Sequence, residues 1–340
     1  LHALSYRAHG VDVAFVFDPD ASHARCLAEV CGASLLHDIA SIASADVDFV
    51  SVCSPPAHHV DQALACARPG RTVFVEKPLA VSRSGLAQIE AAPGCIPIVQ
   101  WRWGRAVRSV KRAIALGLLG GAPSVSVDLA WGRDEAYFRA RAGWGCGALL
   151  SVGIHAIDVV CYALDRPVLG VSSSLLPRSP SQEGGAATRA LETFETSGAL
   201  IATFEGGASA AIRATLEGGP DETRLSFCGG GVTATIVGSE ADPTASDVVW
   251  RCERAATLRR LQELERATDG AVQSPLIVPY MGRAIAATRR GLAPGSCDEC
   301  PGVRDVVAAH ELVFRALDRG SSPSELADPI RPLDRQVLPG

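Results

Sequence analysis

The sequence predicts an α/β protein: a Rossmann-type parallel sheet, followed by an α+β domain with a large, mostly antiparallel open sheet. The first hundred residues alternate apolar runs with helical patterns, as buried parallel strands and their crossover helices do. Further along, strand patterns follow one another across glycine turns without helices between them, which is typical of an antiparallel sheet. The strands of the first domain are predicted at Val11–Phe17, Val47–Cys53, Arg71–Val75 and Ile96–Trp101.

Helical periodicity fills the intervals between these strands and returns in the second domain. We predict a dinucleotide-binding domain over residues 1–102 and a substrate-binding and oligomerisation domain over residues 103–340. The main helices are predicted at Ala21–Cys31, Pro56–Ala67, Ser82–Ala92, Arg105–Leu118, Gly147–Leu164, Pro275–Arg290 and Gly302–Arg319.

Composition narrows the class of protein. The chain has 340 residues, 47% of them hydrophobic, and a net charge of -5, which argues against a nucleic-acid partner because such a partner needs a basic face. No apolar run approaches the roughly 20 residues of a membrane span. The 11 cysteines are scattered through apolar segments, which favours a reducing cytoplasm. Cys297 and Cys300 form one C-x-x-C without a second pair, so we expect no metal site.

The start of the chain departs from the usual Rossmann pattern. A strand and a G-x-G-x-x-G loop ordinarily come about 20 residues before the acid that ends the second strand. Only seventeen residues precede that acid, Asp18, and they contain no such motif; His2–Ala8 has the pattern of the helix that follows the loop. We therefore expect the first strand and loop to be missing from the N-terminus, and cofactor to bind weakly without them.

Polar residues follow three of the predicted strands, at the sheet edge where ligands bind in such folds. Asp18 ends the first, where an acid hydrogen-bonds the adenosine ribose and favours NAD over NADP, or where it simply turns the chain. Ser54-Pro55 follows the second, and His59 comes just after it, either as part of the same site or simply exposed to solvent. Glu76-Lys77-Pro78 follows the third, and a lysine held there suits proton transfer near a nicotinamide.

The second domain offers a histidine in a helix. Ser151, His155 and Asp158 fall at i, i+4 and i+7, which places them on one face of an α-helix. Histidine is the commonest general acid or base near neutral pH, although such a pair is more often a surface or core feature. Tyr137 precedes the glycines before this helix and is a candidate substrate contact.

These motifs together resemble the glucose–fructose oxidoreductase/inositol dehydrogenase (Gfo/Idh/MocA) family of NAD(P)-dependent sugar and cyclitol oxidoreductases. The specific part of the resemblance is Glu76-Lys77-Pro78 followed at the right distance by a glycine-rich turn and His155-x-x-Asp158. Further similarity lies in Val47–Cys53 with the residues after it, in Gln100–Trp103, and more weakly in Ala309–Leu326.

The resemblance implies roles for individual residues. Lys77 matches the family's catalytic lysine and His155 its catalytic histidine, which Asp158 would orient. Its reactions move a hydride between NAD, with NADP left open, and a secondary alcohol or ketone of a sugar, nucleotide sugar or cyclitol. Its second domain often forms homo-oligomers through the sheet. The residues expected to line the cofactor are Asp18, Ser54, Pro55, His59, Glu76, Lys77, Pro78 and Gln100.

One departure from the family and two alternative functions follow. Many members carry an aspartate four residues before the catalytic histidine, and here that residue is Ser151. This puts an Asp–His relay in doubt, and it favours a non-catalytic member retained for binding or assembly as an alternative. A glycosidase that uses NAD for transient oxidation is a second alternative, because fold alone does not fix the reaction.

Overall fold

The computed structural model divides into two compact units. It describes residues 1–141, 143–177, 194–218, 221–238, 247–271, 275–297, 300–319 and 324–330. The first unit comprises Leu1–Ile98 and Ile277–Asp305, and the second comprises Val99–Leu276 and Val306–Gly340. The segment 277–305 thus packs with the Rossmann-type residues, although it lies within the range predicted for the second domain.

The first unit contains two separate parallel sheets. One pairs β1 with β2, and the other has the order β3-β4-β5. No described strand is hydrogen-bonded to both β1 and β3. The strands are β1 (Phe15–Val16), β2 (Ser34–Leu35), β3 (Phe49–Val52), β4 (Thr72–Val75) and β5 (Cys95–Pro97).

The helices of this unit begin and end at clear sequence signals. Asp20 caps the second helix by accepting hydrogen bonds from the backbone of Ser22 and His23, and Gly32 ends it in the left-handed conformation. The helices are α1 (His2–Ala8), α2 (Ala21–Cys31), α3 (Ile39–Ser44), α4 (His59–Cys66) and α5 (Arg83–Glu90), and α10 (Ile277–Arg289) packs on α1.

Two predicted strands are shorter than expected. The Val11–Phe17 run forms only the two-residue β1, and Phe15 is 39% exposed, because β1 pairs with β2 alone among the described strands. The predicted strand Ile96–Trp101 was wrong at its end. Its last two residues belong to a 3-10 turn, Gln100–Trp103, which leads into the second unit.

The second unit is built on one eight-stranded sheet with the order β12-β11-β10-β6-β9-β8-β7-β13. Only β6 and β9 pair in parallel; every other pair is antiparallel, as predicted. The strands are β6 (Ser124–Ala130), β7 (Val168–Pro177), β8 (Glu195–Phe204), β9 (Ser209–Thr215), β10 (Glu222–Gly229), β11 (Val232–Gly238), β12 (Val249–Cys252) and β13 (Ser324–Ile330).

Side chains alternate across this sheet, so one face forms the core and the other stays open. In β6, Val125, Val127 and Leu129 are buried while Ser124 and Asp128 are exposed. The helices of the unit are α6 (Arg105–Ala115), α7 (Glu135–Ala140), α8 (Ile154–Leu164), α9 (Ala255–Arg266) and most of α11 (Arg304–Arg319).

The helix predicted at Gly147–Leu164 has a different first turn. Leu149–Gly153 forms a π-helical turn that continues directly into α8. Such turns are rare and occur often at functional sites. No helix among the described residues is long and apolar enough to cross a bilayer.

Candidate active site

Two loops of the first unit leave the sheet side by side. β3 and β4 pair in parallel with Val52 opposite Val75, so Ser54 and Lys77 each lie two residues beyond a paired position. Lys77 is half-buried, and a cis peptide bond joins it to Pro78. The predicted candidates at this sheet edge are therefore brought together.

His59 holds these two loops together. Its Nε2 lies 2.7 Å from the carbonyl oxygen of Ser54, and its Nδ1 lies 2.7 Å from that of Pro78. The side chain is fully buried, which excludes the alternative that His59 is simply exposed to solvent, and burial lowers the pKa of the imidazole below its ordinary value. His59 thus contacts backbone and fixes the spacing of the loops that carry Ser54 and Lys77.

A buried histidine that sequence reasoning missed ties α1 to the same edge. His2 Nε2 lies 3.2 Å from Glu76 Oε1, and its Nδ1 lies 2.8 Å from Ser51 Oγ, which also bonds the Tyr6 hydroxyl at 2.7 Å. Burial by itself lowers the pKa of His2, but interactions with Cys53 and Glu76 outweigh burial and raise it to about 9. At neutral pH His2 is therefore a cation.

Glu76 is the anionic partner in this network. Its Oε2 accepts a hydrogen bond of 3.0 Å from the backbone N–H of Lys77. Burial alone raises the pKa of Glu76, but the hydrogen bond and charge of His2 outweigh burial and hold the pKa below its usual range. The ionised carboxylate therefore orients the backbone at Lys77.

Two oxygens at the expected cofactor positions are buried without a protein partner. Among the described residues, neither Ser54 Oγ in the first unit nor Gln100 Oε1 in the second accepts or donates a hydrogen bond. Asp18 is exposed beyond β1, where its Oδ1 accepts from the Asp20 N–H at 2.8 Å. A buried polar atom costs free energy unless it is paired, so each of these oxygens suits a polar ligand group.

His155 and Asp158 have different neighbours in the second unit. The His155 ring stacks on the Trp101 indole, with centroids 4.6 Å apart and an interplanar angle of 14°. Asp158 accepts two hydrogen bonds from Arg102, at 2.7 Å from Nε and 2.5 Å from the terminal nitrogen. Both residues of this ion pair are buried, so the pair anchors the turn that carries Trp101.

Ser151 lies in a pocket of the second unit. It is buried in the π-helical turn, where the spacing of an α-helix no longer holds, so the argument for one shared face does not extend to Ser151. The predicted substrate residue Tyr137 lines the same pocket. The pocket residues are Tyr137, Phe138, Arg141, Trp144, Cys146, Gly147, Ser151, Phe194, Glu195, Thr196 and Leu216.

A buried acid, Glu195, forms part of the pocket and was missed from the sequence. Its Oε1 accepts a hydrogen bond of 2.9 Å from the Leu149 N–H, and burial raises the pKa of its carboxyl group. Gly147 is required beside it, because a Cβ at that position would lie 2.2 Å from Glu195 Oε2. Glu195 therefore fixes the start of the helical segment that carries Ser151 and His155.

The described residues contain no group of three His, Cys, Asp or Glu side chains arranged to hold a metal ion. All 11 cysteines lie in the described part of the chain, and all are free thiols there.

The fold is that of a dinucleotide-binding protein, and comparison with known proteins identifies the family. The model of an oxidoreductase family with an NAD-binding Rossmann fold matches residues 1–92, and that of the GFO/IDH/MocA C-terminal domain matches residues 107–242. The chain belongs to this family, whose NAD-binding Rossmann domain and C-terminal domain it contains.

Relatives of known name are distant. Inositol 2-dehydrogenase 2 of Saccharopolyspora erythraea is 30% identical over 188 residues, 53% of this chain and 54% of that protein. Levoglucosan dehydrogenase of Pseudarthrobacter phenanthrenivorans is 28% identical over 157 residues, 42% of this chain and 40% of that protein. The chain therefore matches about half the length, or less, of these curated relatives.

Solved structures confirm the fold across almost the whole chain. The WlbA dehydrogenase from Bordetella pertussis, solved with NADH and UDP-GlcNAcA, matches with a TM-score of 0.77 and 21% identity over 98% of this chain and 94% of that one. Levoglucosan dehydrogenase in complex with NADH and levoglucosan matches with a TM-score of 0.72 and 17% identity over 96% of each chain.

Proposed function

We propose that this protein is an NAD-dependent oxidoreductase that transfers a hydride between the nicotinamide and a secondary alcohol or ketone of a sugar, nucleotide sugar or cyclitol. The observation that carries the proposal is the arrangement at the β3–β4 edge. There Ser54 and Lys77 lie on adjacent loops held by the buried His59. The family and the named dehydrogenases among the relatives support the same reaction class.

NAD, when bound, supplies the hydride acceptor or donor. Ser54 Oγ and Gln100 Oε1 would give hydrogen-bonding contacts to it, since both are buried and unpaired among the described residues. Pro55, Glu76 and Pro78 shape the loops on which these contacts depend. We propose His59 as a positioning residue, because its contacts are to backbone carbonyls on both loops.

Lys77 and His155 are the proposed catalytic residues. Lys77 would hydrogen-bond the oxygen on the reacting carbon, and its positive charge would stabilise that oxygen as the proton leaves. His155 would take or give the proton, and the Trp101 ring stacked on it would restrict its rotation. Tyr137 and Ser151 would contact substrate hydroxyls in the pocket, whose aromatic walls suit a sugar ring. Asp158 supports His155 indirectly, through the turn that Arg102 anchors.

The preference for NAD over NADP rests on Asp18. Its exposed carboxylate lies beyond β1, at the place where an acid bonds the ribose hydroxyls and repels a 2′-phosphate. Asp18→Ser should therefore narrow the difference between the dissociation constants of NADH and NADPH. An unchanged ratio of the two constants would remove Asp18 from the cofactor site.

We further propose a homo-oligomer formed through the open face of the large sheet, in a reducing cytoplasm where the free thiols persist. The open face carries small polar groups together with Ile201, which is 56% exposed. Light scattering should give more than one chain per particle, and Ile201→Lys should reduce that number. A wild-type monomer at micromolar concentration would contradict this.

The test of the proposed function is NAD reduction with a panel of sugars, nucleotide sugars and cyclitols. Lys77→Met should lower kcat/KM for the best substrate by about 10²- to 10⁴-fold, the usual contribution of a positioned acid or base. Lys111→Met is the matched control, because Lys111 on α6 donates to the Tyr162 carbonyl on α8 and lies outside the site. No reduction by any alcohol in the panel, or equal effects of the two variants, would overturn the assignment.

A further inference from the structure

The pocket of the second unit holds an arginine with unused hydrogen-bonding capacity. The guanidinium of Arg141 lies 3.6 Å from the centroid of the Tyr137 ring and 4.4 Å from that of Trp144. These two contacts hold the planar group in a defined orientation. Its Nε is buried and has no hydrogen-bond partner among the described residues.

Neighbouring arginines differ from Arg141 in this respect. Arg133 bonds both carboxylate oxygens of Asp221, at 3.0 and 3.1 Å, and Arg139 lies 3.7 Å from Glu135. No ion pair joins Arg141 to a described carboxylate. The pocket acid Glu195 is engaged elsewhere, because its Oε1 accepts a hydrogen bond of 2.9 Å from the Leu149 N–H.

We propose that this pocket takes a substrate that carries a carboxylate, a sugar acid, and that Arg141 binds that carboxylate through Nε and the adjacent terminal nitrogen. The parallel N–H groups along this edge of a guanidinium match the two oxygens of a carboxylate. The inference rests on the proposed function, because it names the substrate class of the same reaction.

Charge balance selects a carboxylate over a phosphate. A sugar phosphate carries close to two negative charges at neutral pH, and a second cation would be needed to bind it in a pocket with aromatic walls. Arg133 is the nearest candidate, at 5.3 Å from the Tyr137 ring, but it is already paired with Asp221. One guanidinium balances one carboxylate.

The remaining pocket groups suit the rest of a sugar acid. The rings of Phe138 and Phe194 give apolar surface for the C–H face of the sugar. Ser151 and Glu195 line the same pocket and offer polar atoms to hydroxyl groups. A neutral sugar would use these groups and leave Arg141 Nε unpaired.

The experiment is a calorimetric titration of the full chain with D-glucuronate, D-galacturonate, D-gluconate, glucose 6-phosphate and glucose. At least one of the sugar acids should bind more tightly than glucose. Arg141→Met keeps the apolar stem, and should weaken that binding roughly 10- to 100-fold, the loss of one charge-assisted contact, while glucose binding stays the same. Arg139→Met is the matched control and should leave both unchanged.

Arg141→Lys keeps the charge without the paired N–H groups and should fall between wild type and Arg141→Met. It also provides a folded variant with altered chemistry if Arg141→Met loses its native circular dichroism. Equal affinity of wild type and Arg141→Lys for every acid, failure of all three acids to bind, or Arg141-dependent binding of glucose 6-phosphate alone would overturn the proposal.

The outcomes separate this inference from the proposed function. If the protein oxidises only neutral alcohols, and this activity depends on Lys77 but not on Arg141→Lys, the oxidoreductase proposal stands and the sugar-acid proposal fails. If a sugar acid binds in a way that depends on Arg141, but no alcohol reduces NAD, the sugar-acid site stands and the oxidoreductase proposal fails.

Discussion

The imidazole of His155 lies almost parallel to the indole of Trp101, with their ring centroids 4.6 Å apart. Trp101 is fully buried. Its neighbour Arg102 pairs with Asp158, which lies on the same helix as His155, so this ion pair fixes the turn of Trp101 to that helix. The orientation of His155, the proposed general acid or base, therefore depends on this turn. The turn contacts the helix of His155 at two places, the Trp101 stack and the Arg102–Asp158 ion pair.

Replacing Trp101, the stacking partner of His155, should lower the turnover number more than replacing a tryptophan elsewhere in the unit. We expect Trp101→Leu to lower kcat by about tenfold or more, because the catalytic ring loses a surface that restricts it, while KM changes less. Trp250→Leu is the control, since Trp250 packs elsewhere in the unit and bonds Glu265 through its Nε1 at 2.7 Å. Steady-state kinetics of both variants measure the difference, and equal kcat values would contradict the role given to the stack.

The buried Arg102–Asp158 ion pair should contribute more to the free energy of unfolding than an exposed ion pair of similar length. Asp158→Asn removes the carboxylate that pairs with the buried Arg102, and we expect it to lower the free energy of unfolding by about 3–5 kcal/mol. Asp128→Asn breaks the 2.6 Å pair with Arg213, whose side chains are 59% and 54% exposed, and should cost less than about 1 kcal/mol. Urea denaturation compares them, and similar losses would contradict the burial argument.

The contact between Gly147 and Glu195 should show in a double-mutant cycle. Gly147→Ala puts a Cβ 2.2 Å from Glu195 Oε2 and 2.5 Å from the Glu195 carbonyl, so we expect a loss of about 1–3 kcal/mol. Gly143→Ala has no atom within 4 Å of the new Cβ and is the control. Part of the loss should disappear in Gly147→Ala combined with Glu195→Ala. If the free-energy losses of the two single variants add fully in the double variant, the loss caused by Gly147→Ala does not come from its contact with Glu195.

The His2–Glu76 contact predicts a stability that depends on pH. The folded-state pKa of His2, about 9, lies above its ordinary value of 6.5, so the folded state binds this proton more tightly. The resulting stabilisation is complete below pH 6.5 and is lost as pH rises through 9. It amounts to at most about 3.5 kcal/mol, since the pKa rises by about 2.5 units at roughly 1.4 kcal/mol per unit.

His2→Gln should remove this pH dependence. Unfolding free energies measured between neutral pH and pH 9.5 or so should fall more steeply in wild type than in His2→Gln. The exposed His23, changed to Gln, is the control and should follow the wild-type slope. Parallel curves for wild type and His2→Gln would show that His2 is not held as a cation.

The sequence predicted the features that depend on local pattern. The positions of Ser54 and Lys77 followed from apolar runs that end in a parallel sheet, and β3 and β4 confirm them. The antiparallel character of the second sheet followed from short spacing between strands. The π-helical turn at Leu149–Gly153 has no equally clear sequence signal, because it differs from an α-helix by one residue in the hydrogen-bond spacing.

Features that depend on distant packing were not predicted. In β8, Glu195 lies an even number of residues from Ala199 and Ile201, which are exposed, so alternation alone would place Glu195 on the open face. The pairing of β8 with β7 is irregular next to Glu195, where Pro177 is its partner, so the alternation does not hold there. Arg102 is separated from Asp158 by 56 residues, and His2 from Glu76 by 74. Only the folded chain brings such charges together.

The central claim, that this is an NAD-dependent oxidoreductase, is tested most directly by a fluorescence titration of NADH and NADPH. The protein used is the full reading frame that contains residues 1–340. The account predicts saturable NADH binding with a dissociation constant in the micromolar range, and weaker binding of NADPH because Asp18 repels the 2′-phosphate. No saturable binding of either nucleotide would contradict it.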